Sequence, residues 1–204
     1  IIVSEEFNTK YVKHVHFSGD IKIGKFEKEF ELEGGLKQHS GIFHATLHNC
    51  QIGDNVFIAN IHRYIANYII SDDCYIENTQ LLVTEPNCTF GNGKDIAVLN
   101  EAGGREIRIT DQLSSHLAYI LTLYRHRKDT IENITRIIDQ YTESVKSDMG
   151  YIAPHVKITT CRNIKNVKIG AYATIDSASE LINGSINSNE SDPVYIGNGV
   201  IAKN

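Results

Sequence analysis

The chain has 204 residues, 20 Lys+Arg against 25 Asp+Glu, a formal net charge of −5, 41% hydrophobic residues and 22% charged ones. That is the balance of a packed globular chain, and it excludes intrinsic disorder, a collagen-like fibre and a strongly basic nucleic-acid binder. No apolar run reaches the roughly 18–20 residues that span a bilayer, and the four cysteines, Cys50, Cys74, Cys88 and Cys161, form no CxxC pair.

The chain opens on Ile1-Ile-Val3, with no initiator Met and no signal-peptide pattern, and it stops in mid-repeat at Ile196-Gly-Asn-Gly-Val-Ile-Ala-Lys-Asn204. It therefore reads as a fragment of a longer protein. Residues 1–41 alternate apolar and polar side chains in Tyr11–Phe17, Ile21–Ile23 and Phe26–Leu32, which predicts strands leading into or capping a repeat array that begins at residue 42.

From residue 42 to 96 the pattern changes. Gln51-Ile-Gly-Asp-Asn-Val-Phe-Ile-Ala-Asn60 aligns with Ile69-Ile-Ser-Asp-Asp-Cys-Tyr-Ile-Glu-Asn78, an offset of 18, with isoleucines six apart in each unit (52 to 58, 70 to 76). Six residues suit one short strand and one corner, so three units make one turn of a parallel β-helix. The aliphatic residue points inward and stacks on its counterpart one turn above. The small residue beside it, Gly, Ala, Ser, Asp or Asn, tolerates the positive φ of a sharp corner. Isoleucine supplies 29 of the 204 residues, as stacked β-branched ladders require.

Residues 97–150 interrupt this array. Ala97–Leu99 and Ile107–Ile109 predict two strands around a Gly103-Gly104 turn. Leu113, Leu117, Ile120, Leu121 and Tyr124 then share one helix face, and Ile131, Ile134, Ile138, Tyr141 and Val145 share another. Both helices are expected to lie on the outside of the coil. A second array fills residues 151–204, where Ile152 precedes Ile169 by 17 residues and Ile158 precedes Ile175 by the same step. The predicted fold is mainly β: a left-handed parallel β-helix of hexapeptide repeats with an inserted helical segment.

Leu47-His-Asn-Cys-Gln-Ile-Gly-Asp-Asn-Val56, Tyr64-Ile-Ala-Asn-Tyr68, Val98-Leu-Asn-Glu-Ala-Gly-Gly-Arg-Glu106, Leu123-Tyr-Arg-His-Arg127 and Val194-Tyr-Ile-Gly-Asn-Gly-Val200 resemble an uncharacterised bacterial family of hexapeptide-repeat proteins. The resemblance implies the left-handed β-helix superfamily of acyltransferases and sugar-nucleotide enzymes. It also carries a label, related to UDP-N-acetylglucosamine pyrophosphorylase, although the Gly-rich nucleotide loop with its Lys that such an enzyme needs is missing from these residues. From the same resemblance come a cytoplasmic location, acetyl-CoA or a UDP-sugar as possible cofactors, and three-fold self-association. No nucleic-acid or membrane partner is expected.

Acyl transfer on such a scaffold uses a histidine as general base. Among nine histidines, His48, His62, His116, His126 and His155 lie near repeats or the insertion. His116, beside a predicted helix start, and Glu101 are the catalytic candidates. Asn100, Arg105 and Glu106 around the glycine pair, with Arg125, are the ligand-binding candidates, because a guanidinium can clamp a phosphate or carboxylate. The alternative is a structural brace in which these charges pair with one another. The expected site is a polar cleft between insertion and coil. His14-x-His16 places two imidazoles on one strand face without an identifiable third ligand, so no metal site is assigned. The cysteines read as small core side chains. Two functions fit: a transferase-like protein acting on a sugar or nucleotide sugar, or a non-catalytic scaffold or ligand-binding module of a larger protein.

Overall fold

The computed structural model describes residues 1–97, 103–104 and 106–203. Among them, fourteen strands join one sheet, and every strand pair within it is parallel. Parallel neighbours must be joined by crossovers, and the repeat supplies them. Ile52 pairs with Ile70 and Ile58 with Ile76, as the 18-residue offset predicts.

Three apolar ladders run through the sheet. One stacks Ile23, Ile52, Ile70, Ile152, Ile169 and Ile186. A second stacks Val12, Ile42, Ile58, Ile76, Ile158, Ile175 and Ile196. The third stacks Phe17, Leu47, Ile65, Leu82, Ile164, Leu181 and Ala202. All three meet in one continuous core, which also takes in Cys50, Cys74 and Cys161 as small buried side chains.

Between ladders the backbone turns through the left-handed region. Asn49, Asn67, Asn166 and Asn183 have φ of 49°, 57°, 58° and 53° at corresponding corners; Asn55 and Asp73 (58° and 59°) serve a second corner and Asn60 and Asn78 (54° and 51°) a third. Asn and Asp tolerate this conformation because a short polar side chain can bond locally. Gly19, at φ 66°, stands in the first of these columns, where an added Cβ would come within 2.0 Å of Asn49 Oδ1.

Residues 1–41 lack the hexad yet build a rung. Val12–Ile23 is one twelve-residue strand paired along Gly41–Ile52, because Val12, Phe17, Ile21 and Ile23 already present apolar side chains at the inward positions. Of the predicted strand Phe26–Leu32, only Glu29–Glu31 pairs as a strand; it forms an antiparallel hairpin with Lys37–His39 that lays Phe30 and Leu32 over Phe57 and Tyr75.

The long insertion leaves from a corner. Val83 pairs with Ala66 and Gly150 with Tyr68, so Thr84 is the rung's counterpart of Asn67 and the whole excursion emerges beside it. Its two necks are tied by Cys88 N–H to Ser147 O (2.9 Å) and Ser147 N–H to Cys88 O (3.0 Å). Beyond them lie a hairpin, Lys94–Ala97 with Glu106–Ile109, and two helices, α1 (Ser115–Leu123) and α2 (Lys128–Ser144). The Ser114 side chain caps α1 by accepting from Leu117 N. Leu121 and Ile138 are buried as expected, but against Ile107 of the hairpin, in a core separate from that of the large sheet. Ile120, expected to be buried too, is 38% exposed. The hairpin supplies its own apolar strip, Ile96, Ile107 and Ile109, and so covers the helix face expected to lie against the coil. Among the described residues no helix is long and apolar enough to cross a membrane.

Candidate ligand groove

The sequence-predicted cluster is only partly within the described residues: Asn100, Glu101 and Arg105 lie outside them. Glu106 and Arg125 do come together, as a brace. Arg125 Nη1 donates to Gly104 O (2.7 Å) and Nη2 to Glu106 O (3.1 Å), while Glu106 Oε1 accepts from Gly104 N (3.0 Å). Next to them Arg108 holds Asp95 through two hydrogen bonds of 2.9 Å and Asp139 through one of 2.6 Å. Bonding to Arg108 keeps the Asp95 carboxyl below the ordinary carboxylate range. These guanidiniums lock turn, strand and helices together. His116 is elsewhere, lining an open hollow with Tyr119, Ile120, Tyr124, Arg127 and Thr130.

A separate polar groove lies between the large parallel sheet and the necks of the insertion. This groove of about 490 Å³ is lined by Asp20, Lys22, His48, Asn49, Gln51 and Asn67 from the large sheet, and by Pro86, Asp148 and Met149 from the insertion necks. Lys22 and Gln51 are neighbours across the parallel ladder, so their side chains leave the sheet on the same face. Asp148 Oδ1 accepts from Asn87 N (2.8 Å), fixing one neck against the other. The exit neck is anchored further by Glu85, whose backbone N–H donates to Asn166 Oδ1 (2.8 Å). Lys165 bonds the Glu85 carboxylate and lowers its pKa.

The corner asparagines make one hydrogen-bonded column, and it fixes the histidine beside them. Asn49 Oδ1 accepts from Asp20 N (3.0 Å), so its Nδ2 is the donating end. That nitrogen donates to His48 Nε2 (3.0 Å) and to Asn67 Oδ1 (3.3 Å), and Asn67 Nδ2 donates to Thr84 O (2.8 Å). His48 Nε2 is therefore an acceptor, and the neutral ring carries its proton on Nδ1, donated to Ser18 Oγ at 2.8 Å. The groove offers amides that both donate and accept, two carboxylates and one ammonium. Hydroxyl groups, each a donor and an acceptor, match such a lining.

His48 is among the histidines that the sequence points to. Its groove neighbours are not, although Asn at 49 and 67, and again at 166 and 183, recurs with the repeat's own offset. His14 and His16 do not share a strand face as expected: His14 occupies a corner (φ 55°) and stacks on His44 at 4.8 Å. Among the described residues no group of three or more His, Cys, Asp or Glu is placed to hold a metal ion.

Comparison with known proteins places the chain in a family. The model of a domain of unknown function, DUF4954, matches residues 1–204, and the chain belongs to that family. An uncharacterized protein of Treponema pallidum (strain Nichols) is 27% identical over 211 residues, covering 98% of this chain and 29% of that protein. The chain thus spans less than a third of the relative it matches. No solved structure matches it. This corrects the resemblance to a hexapeptide-repeat family: the family that matches is DUF4954. The reason for the discrepancy is physical. A six-residue aliphatic step with Asn or Gly at corners is imposed by stacking in parallel ladders, so it reports how a chain winds and not its ancestry.

Proposed function

We propose that this member of a family of unknown function is a ligand-binding module of a longer protein, wound as a left-handed parallel β-helix, and that it binds a sugar or nucleotide sugar in the groove beside the insertion. Rung-to-rung steps of 17 or 18 residues that occur in all three ladders, with left-handed corners between the ladders, support the winding. The observation that carries the function is the groove lining: Asp20, Lys22, Gln51 and Asp148 present two carboxylates, an ammonium and an amide to one space of about 490 Å³, within the range of small-molecule sites.

Binding without chemistry is the reading this geometry favours over acyl transfer. A general base needs a free lone pair within reach of the proton it takes. The one available on His48, at Nε2, is occupied by Asn49. Titration calorimetry with free sugars, UDP-sugars and acetyl-CoA tests the proposal. Saturable heat with a sugar or UDP-sugar, lost in Gln51→Ala and Asp148→Ala, is the expected result. No saturable binding to any of them, or binding indifferent to both substitutions, would reject it.

A further inference from the structure

Tyr75–Glu77, Lys157–Thr159 and Thr174–Asp176 are stacked strands whose middle residues, Ile76, Ile158 and Ile175, face the core. The residues flanking each isoleucine therefore point away from the core together. Register sets them in two rows. Tyr75, Lys157, Thr174 and Tyr195 follow one another in the first, and Glu77, Thr159 and Asp176 in the second. At a strand spacing of roughly 4.8 Å the first row runs over about 14 Å. Leu32, Glu33 and Leu36, in the loop that joins Glu29–Glu31 to Lys37–His39, share with these rows a groove of about 480 Å³. None of its lining residues belongs to the groove beside the insertion.

We propose that this second groove binds a short neutral oligosaccharide, with sugar ring faces against Tyr195 and Leu36 and hydroxyls on Glu77, Lys157 and Asp176. The polar groups are already oriented. Tyr75 Oη donates to Glu77 Oε2 (2.6 Å) and Thr159 Oγ1 to Asp176 Oδ1 (2.8 Å), which leaves the second oxygen of each carboxylate open to a ligand among the described residues. Lys157, its ammonium 5.9 Å from the Tyr75 ring centroid, and the Thr174 hydroxyl add donors on the adjoining row. Acceptors and donors side by side suit hydroxyls, which are both. Polar groups repeated at one strand spacing suit a chain of sugar rings better than a single ring. Apolar surface accompanies them: Leu36 is 59% exposed and Tyr195 67%, and an aromatic face matches the C–H face of a sugar. Charge narrows the class further. Glu33, Glu77 and Asp176 outnumber Lys157, so a polyuronate or another polyanion is repelled. A Lys-rich peptide would set its cations against Lys157, and an apolar helix would bury the carboxylates unpaired.

The test titrates this chain with cellotetraose, maltotetraose and N-acetylated chitotetraose, with tetragalacturonate as the anionic control and hexalysine as the basic one, by calorimetry and saturation-transfer NMR. At least one neutral tetrasaccharide should bind saturably, with little change on adding salt, and tetragalacturonate should be about tenfold weaker or more. Tyr195→Ala, at an exposed side chain, and Asp176→Asn, which keeps the shape but removes the charge, should each weaken that binding about tenfold with the circular dichroism unchanged. Gln51→Ala and Asp148→Ala should leave it as it is, which separates this site from the groove beside the insertion. No saturable binding of any neutral tetrasaccharide, or tetragalacturonate binding as tightly, would overturn the proposal. So would hexalysine binding more tightly than every sugar and releasing in salt, which would identify a basic partner. Binding retained in Tyr195→Ala but lost in Gln51→Ala would also overturn it, by placing the sugar in the other groove.

Discussion

Asn166 joins the repeat to the insertion, and its replacement separates two contributions that the corner combines. Its backbone is left-handed, with φ 58°, and the residue is buried. Its Oδ1 accepts from Glu85 N at 2.8 Å, and its Nδ2 donates to Asn183 Oδ1 at 2.9 Å and to Glu85 Oε2 at 3.2 Å. Asn166→Ala leaves the Glu85 N–H without its partner, a cost of about 1–3 kcal/mol, and puts a Cβ-bearing residue with no polar arm in the left-handed region, a further ~1 kcal/mol. The expected loss is therefore about 2–4 kcal/mol. Asn166→Gly loses the same hydrogen bonds but relieves the backbone, at a smaller entropic cost, so it should be less destabilising than Ala by about 0.5–1 kcal/mol. Urea unfolding of the three proteins measures both differences, and hydrogen exchange at the Glu85 amide should quicken in both variants. If Ala were tolerated as well as Gly, the corner would not depend on its left-handed backbone and the account of the asparagine columns would fall.

The same contacts carry other consequences. Ile158 is fully buried between Ile76 and Ile175, so Ile158→Ala should cost about 2–5 kcal/mol and Ile158→Val about 0.5–1.5 kcal/mol; a loss under about 0.5 kcal/mol for Ala would remove Ile158 from the core. Burial pushes the thiols of Cys50 and Cys74 up to about 11 and about 12, so at pH 8 the folded protein should react with a thiol reagent at neither residue, while urea should expose both; fast labelling in the native state would contradict their placement. The Asp95 carboxyl, depressed by Arg108, should stabilise the insertion at pH values above its unfolded-state value and lose that contribution as pH falls through the lower folded value. Exchange of the hairpin amides against pH measures this, and an Asp95→Asn protein that titrates in parallel with the wild type would show that the pair contributes nothing.

The ladders are legible in the sequence because each rung is local. One aliphatic every six residues, with Asn or Gly at a corner, states which residue stacks on which before any long-range contact is known, and Ile52 over Ile70 and Ile58 over Ile76 result directly. The rung at Val12–Ile23 reads as strands but not as part of the array, since it satisfies the inward apolar positions without the small-residue signature. Of the groove lining, only His48 is pointed to by the sequence. Glycine, guanidinium and carboxylate near residue 104 announce themselves by proximity in the chain, yet Arg125 reaches back to the backbone there and makes a brace. The groove instead unites Asp20, Gln51, Asn67 and Asp148, brought together by the parallel pairing of their strands and by the two necks that close at Cys88 and Ser147. Local periodicity encodes the register of the parallel strands, because stacking repeats the same contact from one strand to the next. Which side chains face one another across the mouth of an insertion depends on where the excursion leaves and re-enters the sheet, and only the tertiary structure decides that.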